Sequence, residues 1–120
     1  MIIEPISLVR QVEIVFTELR QELSELNSGT VFLQIRNNAV GKFGVRHNPL
    51  EGRDGVVQKS GTGLAESQWQ AFRKLALDSL KYKVNWTHGE ITFDFTVKKE
   101  TLYASVMFES NYNMSSLIRG

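Results

Sequence analysis

Residues 52–69, GRDGVVQKSGTGLAESQW, hold four glycines together with Lys59, Ser60 and Thr62, and they run into a helix-like stretch. Backbone N–H groups converge at a helix start, so glycine-rich turns there often cradle phosphates. The known versions of that chemistry each need a particular order of residues. A phosphate loop ends in Gly-Lys-Ser/Thr, whereas here Lys59 and Ser60 precede Gly61. The dinucleotide fingerprint needs three glycines, and Glu66 stands where the third should follow Gly61 and Gly63. A nucleophile elbow would need glycines two places either side of Ser60, where Gln58 and Thr62 stand. What survives is a generic anion site of Lys59, Ser60, Gly61, Thr62 and Gly63. Against it stands a plain connection between two halves of a sheet.

Other reactive residue types are thinly spread. The sequence has no cysteine, which excludes disulfides, thiol chemistry and cysteine-ligated metals. His47 and His88 are isolated from each other and from any Glu-x-x-His spacing, so no metal site is expected. Glu90 and Asp94 lie four apart on an alternating stretch and share its wet face. Paired acids can serve acid–base chemistry, but a solvated strand face accounts for these two. No catalytic residue, cofactor or metal is expected.

Net charge is +1, which gives no global field for nucleic acid. Residues 1–35 carry five Glu and two Arg, and residues 36–59 carry five basic and two acidic side chains. The basic set is Arg36, Lys42, Arg46, Arg53 and Lys59. Single-strand binders interleave such charge with aromatic platforms. Only Phe43 interrupts this set, and it points to the opposite strand face, so nucleic acid is not an expected partner.

The elements that must position these residues follow from periodicity. Leu8, Val12, Val15, Leu19, Leu23 and Leu26 form one stripe at helical spacing, which predicts a helix over 5–26. Pro5 suits its first position and Gly29 its end. Glu18, Glu22 and Glu25 flank the stripe. Alternation predicts a hairpin of 30–36 and 39–46 about a turn at Asn37 and Asn38, with Gly41 and Gly44 marking a bulged or edge strand. Residues 47–63 have no period and read as a long, flexible glycine-rich loop, in which Val56 and Val57 form at most a scrap of strand. A second helix is expected over 64–82, capped by Thr62 or Gly63. Three strands then follow: 82–87, a turn at His88 and Gly89, 90–98, a turn at Lys99 and Glu100, and 101–109. Ile91, Phe93, Phe95 and Val97 share one face of the second of these, and Leu102, Ala104, Val106 and Phe108 share one face of the third.

The expectation is α+β: a two-layer sandwich of about five mostly antiparallel strands and two helices, in the order α-β-β-α-β-β-β. Its 120 residues suit a single domain over 1–120, with the tail 110–120 frayed. No apolar run approaches the roughly 20 residues of a membrane span, no secretion signal opens the chain, and the absence of cysteine suits a cytoplasmic setting.

Tyr103 and Met107 fall on the face of the last strand opposite its core residues, where polar side chains would be expected. Together with Glu18, Glu22 and Glu25 they are the candidate interface. The expected function is non-catalytic macromolecular binding, of an adaptor, chaperone or immunity-like kind. The expected partner is a protein or a second copy of the chain. Small secretion chaperones and toxin-neutralising immunity proteins use comparable layouts, an analogy of architecture alone. The alternative is a small-ligand or anion-binding module, or an enzyme, with loop 52–63 as a lid.

Overall fold

The computed structural model describes residues 6–58 and 61–118. Among these the chain is α+β, with helices layered on one face of an antiparallel sheet. Helix α1 (Leu8–Glu18) is followed by a short α2 (Arg20–Leu23), then strands β1 (Ser28–Arg36) and β2 (Ala39–His47). A small ribbon comes next, β3 (Glu51–Arg53) and β4 (Val56–Gln58), and then α3 (Glu66–Ser79). Strands β5 (His88–Lys98) and β6 (Thr101–Ser110) complete the sheet, and α4 (Met114–Leu117) follows. The main sheet has four strands in the order β2-β1-β5-β6, every pair antiparallel.

Period-2 alternation along these strands builds the core. Val31, Leu33 and Ile35 of β1 and Ile91, Phe93 and Phe95 of β5 are buried under the helices. Phe16 of α1 and Phe72 of α3 meet Phe93 edge-to-face, with ring centroids 5.7 and 6.5 Å away, and they lie 5.2 Å from each other. These aromatic contacts join both long helices to the central strand. Two turns hold their residues at positive φ, Asn37 and Asn38 in one and Lys99 and Glu100 in the other, as tight hairpins of right-handed strands require.

Several expectations are corrected. The first helix does not run unbroken over 5–26. It is capped by the Ser7 hydroxyl, which accepts from the Arg10 amide, and it breaks at Leu19. Just before the break the Phe16 carbonyl accepts the buried Trp69 indole N–H at 3.2 Å, so a side chain from α3 enters the helix ladder. Pro5 lies outside the described residues.

The expected strand over 82–87 is absent, so the main sheet has four strands rather than about five. Leu80–Tyr82 is a 3-10 turn instead. The residues after it are tied to the first hairpin's tip. The Asn37 and Asn38 amides donate to the Thr87 and Trp86 carbonyls at 2.7 and 3.0 Å, and the Trp86 amide donates to Asn38 Oδ1 at 2.7 Å. His88 and Gly89 begin β5 and form no turn. The second long helix starts at Glu66, and Gln68 Oε1 accepts the Ala65 amide at 2.9 Å in place of a Thr62 or Gly63 cap.

Residues 51–58, read as part of an aperiodic loop with at most a scrap of strand at Val56 and Val57, form the β3–β4 ribbon about a turn at Asp54 and Gly55, both at positive φ. The tail carries α4, capped by Asn113 Oδ1, which accepts from the Ser115 amide. Residues 48–58 and 111–118 are exposed throughout. The molecule extends 60 Å along its long axis with a radius of gyration of 17.1 Å, against about 14 Å for a compact chain of this length.

Candidate interaction surface

The helices cover one face of the sheet only. The other face is built from the alternate residues of the same strands, and register sets them in rows. Arg46, Thr30, Asp94 and Ser105 form one row across β2-β1-β5-β6, and Gly44, Phe32, Thr92 and Met107 form the next. Thr96 and Tyr103 stand beside the first row, and Gln34, Glu90 and Glu109 beside the second. No described helix or strand packs over them.

Polar groups on this face are tied to one another. The Arg46 guanidinium donates to Glu90 Oε1 at 2.9 Å and lies over the Phe32 ring, 4.2 Å from its centroid. The Thr30 hydroxyl donates to Asp94. Tyr103 and Met107 remain 56% and 64% exposed among the described residues. Two open depressions flank the Phe32–Arg46 ridge. One, of about 430 Å³, has Thr30, Asp94, Thr96, Tyr103 and Ser105 along its wall. The other, of about 580 Å³, has Gln34, Arg36, Lys42, His88 and Glu90. Glu90 and Asp94 thus share the wet face as their spacing predicts, each committed to a partner.

The acidic flank is elsewhere. Glu18, Glu22 and Glu25 belong to the helical layer on the far side of the sheet from Tyr103 and Met107. Glu22 Oε2 meets His47 Nε2 at 2.7 Å, which ties the end of β2 to α2, while Glu18 and Glu25 are exposed. The two parts of the expected interface therefore lie on opposite sides of the molecule.

The glycine-rich segment packs against a helix end. Lys59 and Ser60 lie outside the described residues. Gly61 holds φ at +67°, and Gly63 runs so close to α2 that an added Cβ would meet the Ser24 carbonyl oxygen at 1.8 Å. The Leu64 amide donates to the Leu23 carbonyl at 3.3 Å. Gly61, Thr62 and Gly63 thus lie by the carbonyl, partly negative end of a helix, which disfavours an anion. At the start of α3, Glu66 pairs with Arg20 and Gln68 occupies the Ala65 amide. The groove beside it, about 340 Å³, carries Glu18 and Glu66 as well as Arg20.

Among the described residues, no three His, Asp or Glu side chains gather in metal-holding geometry. Asp78, on the exposed side of α3, is held below the usual carboxylate range by its hydrogen bond from Lys74. No helix among the described residues is long and apolar enough to cross a membrane. Compared with protein-family models, with curated proteins and with solved structures, the chain matches none.

Proposed function

We propose that this protein is a non-catalytic binding protein that docks a protein partner on the uncovered face of its sheet. The observation that carries the reading is the exposure of Tyr103 and Met107 beside the Arg46–Phe32 stack, on a face with no second layer. Aromatic residues, Met and Arg are the side chains enriched at protein interfaces. Arg46 and Glu90 are already paired, so a partner would bury those two charges without stranding either as a lone ion. A cytoplasmic setting is part of this reading and rests on the cysteine-free composition.

The test starts from the complex isolated from native cells, its partner identified and the pair remade from purified components. Tyr103→Lys combined with Met107→Lys should weaken that purified complex at least tenfold, about 1.4 kcal/mol, with the melting temperature unchanged. An unaltered affinity in that variant would remove the open face from the reading. The ligand-module alternative makes the opposite forecast. A nucleotide or phosphorylated metabolite at a hundred times its Kd would add about 2.7 kcal/mol of stability, lost in Lys59→Ala. No such shift is expected.

A further inference from the structure

The sheet has two edges, and they are built differently. The β2 edge carries the devices that prevent edge-to-edge pairing. Its ladder with β1 slips between Leu33 and Ile35, and it holds Gly41, Lys42, Gly44, Arg46 and His47. Its Val40 amide is bonded by Gln11 Oε1 of α1 at 2.6 Å. The β6 edge has none of these. Its ten residues run in unbroken register with β5 and contain no Gly and no Pro, and Glu109 is their one charge. Among the described residues, no side chain bonds its outward backbone groups.

Which groups face outward follows from the ladder. The Asn111 amide donates to the His88 carbonyl at 2.9 Å. Because antiparallel pairs alternate, the odd-numbered positions of β6 turn their amides and carbonyls toward β5. Leu102, Ala104, Val106 and Phe108 turn theirs to the open edge. The same four side chains face the helical layer and stay half-buried, because the sheet ends beside them.

We propose that two copies of this chain pair β6 with β6, antiparallel, about a two-fold axis at Ser105, making one continuous eight-stranded sheet. The register follows from the sequence of the strand. Opposite residues must share a face, which an axis through Ser105 satisfies. That axis sets Leu102 against Phe108 and Ala104 against Val106 on the covered side, where their outward amides and carbonyls bond reciprocally. On the open side it sets Tyr103 against Met107, a favourable sulfur–aromatic pair. Glu109 falls opposite Thr101, so the two like charges never meet. An axis through Val106 would instead put Tyr103 against Glu109 and lose the Tyr–Met pair. A second copy is therefore the occupant whose sequence fits this edge.

Tyr103 and Met107 border the seam as well as the docking face, so their Lys variants would disturb both. Ala104→Pro removes a β6 backbone amide and leaves the open-face side chains in place, and with it the two readings can fail separately. A monomeric variant that still binds the partner leaves the docking reading standing. A dimer that binds nothing leaves the edge standing.

The absence of native cysteine makes a crosslinking test clean. At the axis, Ser105 of each copy forms a non-hydrogen-bonded pair with Cα atoms about 4.5 Å apart, within disulfide reach. Ser105→Cys should give a covalent dimer on mild oxidation. Thr101→Cys, far from its own copy in this register, should not. In light scattering the wild-type chain should show twice its 13.7 kDa mass. Ala104→Pro should halve that mass and keep the fold, because it deletes only an outward amide. Ser105→Pro, which deletes a bond to β5, should unfold the chain. A wild-type mass of one chain at all concentrations, or an Ala104→Pro dimer, would overturn the proposal. So would Thr101→Cys crosslinking as readily as Ser105→Cys. Should Ala104→Pro fail to fold, the Cys pair still decides.

Discussion

The two faces of the sheet come from the same strands, yet each treats an aromatic ring lying over a glycine differently. On the covered face the Trp86 ring lies over Gly89, where an added Cβ would stand 2.5 Å from it and 2.2 Å from the Glu109 carbonyl oxygen. Trp86 is 2% exposed, and its ring meets Phe108 edge-on at 5.8 Å. On the open face the Phe32 ring lies over Gly44, where the atoms nearest to an added Cβ would be ring atoms, two of them at 3.0 Å. An aromatic ring covering a strand glycine restores contact that the missing side chain forfeits. On one face the ring is buried against Phe108, and its indole N–H donates to the Lys83 carbonyl at 3.2 Å. On the other the half-buried Phe32 ring lies under the Arg46 guanidinium. The covered face is committed to stability, and the open face keeps apolar surface that the fold itself does not consume.

The largest expected effect is in the centre of the covered face. Phe93 is fully buried and meets both Phe16 and Phe72. Phe93→Ala should cost about 3–5 kcal/mol. Met107→Ala, one row away on the open face, should stay within about 0.5 kcal/mol. Chemical denaturation of the two variants measures the contrast directly, and equal midpoints would erase it.

A smaller effect is expected at Gly89. A methyl group there collides with the Glu109 carbonyl of the neighbouring strand, and a backbone atom yields less readily than a side-chain end. Gly89→Ala should therefore cost about 1–3 kcal/mol by overpacking. A neutral result would mean that the β5–β6 ladder can slide at this end, and with it the register on which the β6 edge depends.

How much of this was legible differs between the faces too. The covered face was read well, because burial enforces period: Ile91, Phe93 and Phe95, like Leu8, Val12 and Val15, repeat as the strand and the helix demand. The turn at Asn37 and Asn38 was legible because few residues accept positive φ there. What failed depended on distant partners. The break at Leu19 accompanies Trp69, fifty residues away, whose indole bonds the Phe16 carbonyl, and no local residue marks it. Residues 82–87 alternate like a strand, but β5 already occupies the place beside β1, so Trp86 caps a hairpin tip instead. Gly63 resembles a ligand-binding glycine because close approach to a phosphate and close approach to the Ser24 carbonyl both require a bare Cα. On the open face, Tyr103 and Met107 stood out by breaking the polar alternation. The Arg46–Phe32 stack did not, because its two residues sit on different strands.

That stack gives the next prediction. The Arg46 side chain is 52% exposed, and its partner Glu90 is 24% exposed. Exposed ion pairs contribute about 0–1 kcal/mol, and exposed cation–π contacts about 0.5–1. Arg46→Ala should thus cost about 1 kcal/mol, and the ion-pair share should shrink in high salt. A double-mutant cycle with Glu90→Gln separates the two contributions. A coupling that is large and insensitive to salt would mean that the pair is shielded from water, contrary to an open face.

The smallest effect belongs to Gly44, and it is the sharpest test of the comparison. Gly44→Ala places a methyl group first against the Phe32 ring, at a separation the ring can relieve by a small rotation. Arg46 lies over that ring, and a half-exposed guanidinium can follow it. Alanine also removes backbone freedom from the unfolded chain, which favours the folded state by about 0.5–1 kcal/mol in a strand. The two contributions oppose each other, and the net change should lie within about 0.5 kcal/mol of zero. Gly89→Ala has the same entropy gain and no such relief, so the difference between the two glycines isolates the stiffness of the two faces. If Gly44→Ala instead cost as much as Gly89→Ala, Phe32 would be as firmly held as Trp86. The open face would then be a packed surface in its own right, with little freedom to adapt to a partner.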